Sequence, residues 1–83
     1  MIRNRQISSQ ALAAFSRSLA RMMEAGVDVR KSLQTSSQQS RDSRLASSTE
    51  RIQKSIASGS SLAEAVGKEG DLYPPLFRDL VNV

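Results

Sequence analysis

Eighty-three residues allow one domain, and a chain of this size buries only about 60–65% of the surface it exposes when unfolded, so its stability margin is narrow. Cysteine and histidine are both absent, which removes a disulfide framework, thiolate metal sites, the commonest metal ligand and the commonest general base. Twelve Lys and Arg against eight Asp and Glu leave a net charge of +4, and two Phe, one Tyr and no Trp leave a core to be built by helices packed through Leu, Ile, Val, Met and Ala.

Residues 1–8 are polar, basic and without period, and read as a flexible arm; residues 9–83 read as a single helical domain. Ser8 or Ser9 can cap a first helix running to about Ala25. Leu12, Phe15, Leu19, Met22 and Met23 recur in it at three- and four-residue steps, which stacks them on one face and leaves Arg17, Arg21 and Glu24 to solvent. The Met22-Met23 pair is read as core rather than as an adaptable binding surface. Gly26 can take the left-handed conformation that closes a helix, and Asp28 can cap the next one. Two helices therefore meet at a tight corner.

The second helix, from Val29 to about Gln39, has only Val29 and Leu33 on its apolar face and must lean on its neighbours to form. Asp42 can cap a third, in which Leu45, Thr49, Ile52 and Ile56 make one narrow stripe. Glu50 and Lys54 sit there one turn apart in the favourable order, worth about 0.3 kcal/mol. Gly59 supplies the stop. Ser61-x-x-Glu64 is a capping box opening a short fourth helix with Leu62, Ala65 and Val66 on its apolar side. Pro75 suits the first turn of a fifth helix carrying Leu76, Phe77, Leu80 and Val81. The sum is an all-α antiparallel bundle of four to five helices with no strand. Its predicted core is Leu12, Phe15, Leu19, Met22, Leu33, Leu45, Ile52, Ile56, Leu62 and Val66.

Chemistry finds little to work with. Ala25 to Ser32 ends in a Lys31-Ser32 pair, but a phosphate-binding loop needs glycines where Ala25 and Arg30 stand, and no strand precedes it. The fifteen serines lack a histidine partner, and no Ser-x-x-Lys spacing offers a lysine base, so they read as solvated surface and caps. Glu64, Glu69 and Asp71 lack the alternate-residue pattern of a calcium loop. No catalytic, cofactor-binding or metal-binding residue is assigned, and the chain reads as a non-enzyme with no cofactor. Gly26, Asp28, Gly59, Ser61 and Glu64 are assigned structural roles as helix stops and caps. No apolar run approaches the ~18–20 residues of a membrane span, and Met1 to Arg5 lacks the apolar centre of a signal peptide, so the chain reads as soluble.

Two blocks of sequence carry a resemblance. Phe15-x-Arg17-x-Leu19-Ala20, then Glu24-Ala25-Gly26-Val27 and a following Leu33, is similar to the opening of the repeat domain of the type II secretion system F family. That family includes the inner-membrane platform proteins of type IV pili. Ile56-x-x-Gly59-x-Ser61-Leu62-x-Glu64-Ala65 followed by Tyr73-Pro74-Pro75-Leu76-Phe77 resembles the latter half of the same domain. The likeness runs from about Leu12 to Val81. It departs at the second helix, where the family has more Leu and Ala than Gln34 to Ser40 provides.

The resemblance implies a helical scaffold module on the cytoplasmic face of the bacterial inner membrane. It would dock other protein components of a secretion or pilus machine, including the cytoplasmic ATPase, and reach the membrane through segments absent from this chain. Family members carry a Gly-Glu element and a further helix after the position of Val81, so the chain reads as an excised domain. Leu76, Phe77, Leu80 and Val81 are more apolar than a helix ending in solvent carries, and are predicted to pair with a second copy as a homodimer or higher oligomer. The alternative is a small basic helical nucleic-acid-binding domain. It rests on the corner within residues 10–39 and on Arg30, Lys31, Gln34 and Gln38, with no aromatic to stack a base. Specific nucleic-acid binding is not expected.

Overall fold

The computed structural model describes residues 6–81. Five α-helices follow one another: α1 Ser9–Glu24, α2 Val29–Gln38, α3 Ser43–Ala57, α4 Leu62–Gly67 and α5 Pro75–Val81, with one 3-10 turn at Gly70–Leu72 before α5. Among the described residues there is no strand, as an all-α bundle requires. Each helix packs on the next, and residues early in one meet residues late in its neighbour. Gln53 near the end of α3 donates from Nε2 to the Arg30 carbonyl at the start of α2, 3.1 Å away. Arg51 on α3 reaches Glu69 beyond α4, 2.7 Å away.

The helix ends follow local chemistry. The Ser8 hydroxyl accepts the Ala11 N–H to start α1, Asp28 accepts the N–H groups of Arg30 and Lys31 to start α2, and Asp42 accepts the Arg44 N–H to start α3. Gly26 and Gly59, at φ of 85° and 109°, turn the chain after α1 and α3 through a region where any side chain is strained. Ser61 and Glu64 exchange both hydrogen bonds of a capping box, at 3.0 and 2.8 Å.

The core holds Ile7, Leu12, Phe15, Leu19, Leu33, Leu45, Ile52, Ala65, Val66 and Tyr73. Seven of the ten predicted core residues are in it, and Ile56 and Leu62 pack against it half-buried. Met22 is half-buried too, and Met23 is 43% exposed, so the pair marks the edge of the α1 stripe rather than its centre. The first five residues of the predicted arm lie outside the described residues. Its end is tied down: Ile7 is 3% exposed and donates its N–H to the Leu72 carbonyl at 2.9 Å, while the Ser8 N–H bonds the Asp42 carboxylate.

Serine is where the fold departs most from the sequence reading. Ser32, Ser36, Ser37 and Ser48 are buried, as is Thr49, instead of standing in solvent. Their small volume lets the backbones of α1, α2 and α3 approach, and each hydroxyl has a partner, as burial demands. Ser36 bonds Ser18 on α1 at 3.0 Å, Ser37 bonds the Gln34 carbonyl at 2.9 Å, Ser32 bonds the Val27 carbonyl at 3.4 Å and Thr49 bonds the Ala46 carbonyl at 3.0 Å. This is how α2 persists to Gln38 with so few apolar residues. It lies against both α1 and α3, with Leu33 filling the space the serines leave.

Tyr73 is fully buried. Its hydroxyl lies 2.9 Å from that of Ser48 on α3, and its ring stacks on Phe77 of α5 with centroids 5.0 Å apart. Desolvation dominates its titration and pushes the phenol up to about 12, against the opposing hydrogen bond from Ser48.

Ile52→Ala should cost about 2–4 kcal/mol through the cavity it leaves, measured by urea unfolding, and so much of the stability of a domain this small. Because the folded phenol ionises later than the unfolded one, at 10.0, its stabilising effect is complete below pH ~10 and is lost as pH rises toward 12. Melting temperatures measured from pH 9 to 12 should therefore fall more steeply for the wild type than for Tyr73→Phe.

Candidate interaction surfaces

The residues assigned to helix stops and caps sit where backbone geometry needs them, and their polar atoms are engaged. Glu64 is held below the usual carboxylate range by the Ser61 N–H and hydroxyl. Glu69, with 7% of its side chain exposed, meets the Arg51 guanidinium through Oε1 and Oε2. Asp71 stands in the 3-10 turn. Among the described residues, no group of three carboxylates gathers as a metal site would need. Asp42 takes the Arg44 guanidinium and the backbone N–H groups of Ser8 and Arg44, which together lower its pKa, the guanidinium most. It thereby clamps the start of α1 to the start of α3. Ser32, the serine of the Lys31-Ser32 pair, is buried and bonded to the Val27 carbonyl, so no phosphate-binding loop forms there.

Two surfaces of different chemistry stand open among the described residues. The first is apolar and lies where α5 crosses the start of α1. Leu12, Ala13 and Ser16 of α1 and Pro74, Leu76 and Phe77 line a shallow groove of 350 Å³ there. Leu76 is 71% exposed, a large apolar side chain in water. The four α5 residues do not share one free face, however. Phe77 and Val81 are half-buried and pack on the core, because Tyr73 draws the inner side of the helix down; the side chain of Leu80 lies outside what the structure describes. Arg78, on the same helix, buries its Nε with no hydrogen-bond partner among the described residues.

The second surface is cationic and polar, where the late turns of α3 lie along α2. Arg30, Lys31, Gln34, Gln38, Gln53 and Lys54 line it with Asp28, Thr35 and Ala57. The sequence placed Arg30, Lys31, Gln34 and Gln38 together on α2; it held no sign that Gln53 and Lys54 would join them, because that depends on the register of α3 against α2. Tyr73 and the buried serines were likewise missed as packing residues. The one local signal was an aromatic before a Pro-Pro pair, a position that favours extended backbone.

Residues 15–83 match the model of the family described as type II secretion system (T2SS), protein F. No curated protein matches the chain. None of the described helices is long and apolar enough to cross a membrane.

Leu76→Ala should change the unfolding free energy by less than about 0.5 kcal/mol, whereas Phe77→Ala should cost about 1–3 kcal/mol because it removes the ring stacked on Tyr73. Thermal melts of the two variants check the division of α5 into an outer and an inner side.

Proposed function

Since the chain belongs to the type II secretion system protein F family, a family of inner-membrane platform proteins, we propose that it is a non-enzymatic assembly module at the cytoplasmic face of that membrane. There it docks other protein components of the secretion or pilus machine, its cytoplasmic ATPase among them, and it pairs with a second copy of itself. The observation that carries this reading is the apolar groove between α1 and α5 with Leu76 standing out of it. One exposed leucine is ordinary, but Leu76 borders a groove lined by Leu12, Ala13, Pro74 and Phe77, and a contiguous apolar patch supports a contact surface there.

The residues assigned to caps, Asp28, Ser61 and Glu64, are engaged in holding helix starts, which agrees with a structural role for them. The excess of Lys and Arg in α1, α2 and α3 agrees with a segment on the cytoplasmic side of a membrane. A two-fold contact is the simplest use of the groove, because Leu76 of each copy can enter the groove of the other.

The test is sedimentation at about 100 μM, a concentration at which a modest two-fold interface is populated, together with direct binding to the purified ATPase of the same machine. Leu76→Asp should convert the wild-type dimer to monomer while leaving the melting temperature nearly unchanged. A wild type that is already monomeric, or a dimer indifferent to Leu76→Asp, refutes the self-pairing. Absence of binding to the ATPase refutes that docking role.

A further inference from the structure

Arg30 and Lys31 stand in the first turn of α2, and Lys54 stands near the end of α3. The 3.1 Å hydrogen bond from Gln53 Nε2 to the Arg30 carbonyl pins those two turns side by side, so the adjacent Arg30 and Lys31 and the distant Lys54 share one end of the α2–α3 groove. All three are exposed. Among the described residues the ion pairs are Arg44 with Asp42 and Arg51 with Glu69, and none involves these three. Glu50, one turn before Lys54, does not line the groove. Asp28 does, but its Oδ2 accepts the N–H groups of Arg30 and Lys31 and so faces the helix start.

Beyond the cationic end, Gln34 and Gln38 follow one turn apart, both exposed. Primary amides carry a donor and an acceptor each and can satisfy a peptide backbone as a sheet edge would. We propose that this groove binds an extended acidic segment of another protein, with carboxylates on Arg30, Lys31 and Lys54 and backbone on the amides of Gln34 and Gln38. The proposal rests on the docking role above but uses a surface separate from α5, and it names the partner's chemistry. A membrane surface fits less well, because among the described residues Ala57 is the one apolar side chain lining the groove and insertion into lipid needs larger ones. Nucleic acid fits less well too, since among the described residues no aromatic side chain lines the groove to stack a base.

The probe is a fluorescein-labelled peptide of about twelve residues, Glu-Gly-Glu-Gly-Glu followed by Gly-Ser repeats, titrated into the isotope-labelled chain by anisotropy and amide NMR. Its control is the same peptide with Gln for Glu. Shifts should map to α2 and the end of α3. Arg30→Glu combined with Lys54→Glu should weaken binding on the order of tenfold, as reversal of close charge pairs does. Arg17→Glu with Arg21→Glu, which leaves the net charge equally changed but the groove intact, should have an effect of less than about threefold. Leu76→Asp should have none, so this result and the α5 result can fail independently.

Equal binding of the Gln peptide, or equal loss in both charge-reversed pairs, overturns the proposal. So does tighter engagement of the same residues by phosphatidylglycerol vesicles or duplex DNA at physiological salt. Should the groove variant fail to fold by circular dichroism, the wild-type shift map decides: shifts centred outside α2 and the end of α3 overturn it.

Discussion

The hydrogen bond between Tyr73 and Ser48 is the contact on which the C-terminal third depends. A phenol with no exposed surface must find a partner for its hydroxyl, because an unsatisfied one costs about 1–3 kcal/mol. Ser48, on the inner side of α3, is that partner. Once Tyr73 is seated, its stack on Phe77 fixes which side of α5 turns inward, and Leu76 is left outside. The Ile7 N–H bonds the Leu72 carbonyl just before it, so the same short segment also anchors the beginning of α1. The apolar groove between α1 and α5 is the seam this closure leaves open.

A second constraint is the scarcity of large apolar side chains. With three aromatic residues in the chain, a core of ordinary width cannot be filled. The helices come close instead, through buried Ser32, Ser36, Ser37 and Ser48. Close approach by small residues substitutes dispersion between backbones for the burial of bulky groups, and it holds only while each hydroxyl stays bonded. The Ser36 to Ser18 bond therefore acts between helices, tying α2 to α1 beside the Met22 sulfur, which the same hydroxyl also meets.

Charge is organised by the same packing. Arg44 and Arg51 are drawn into pairs that brace α3 against its own cap and against the end of α4. Arg30, Lys31 and Lys54 are brought together and left unpaired among the described residues. An apolar seam at α5 and a cationic groove at α2 and α3 give a small domain two faces of different chemistry.

Periodicity and caps were legible without any structure. Leu12, Phe15 and Leu19 at helical steps, Gly26 and Gly59 as stops, and the Ser61-Glu64 box depend on interactions within about four residues, so the chain itself specifies them. The order and spacing of its motifs also carried the family. What the linear pattern could not contain was distance between residues far apart in sequence. Whether Ser48 is wet or buried turns on Tyr73, 25 positions on. Whether Lys54 is a lone surface charge or part of a groove turns on Gln53 reaching Arg30, 23 positions back. Whether Phe77 faces out with Leu76 or in toward the core turns on how the segment before α5 is seated. Those choices were made by tertiary packing, because a polar or aromatic side chain takes its role from the partner that desolvation forces it to find.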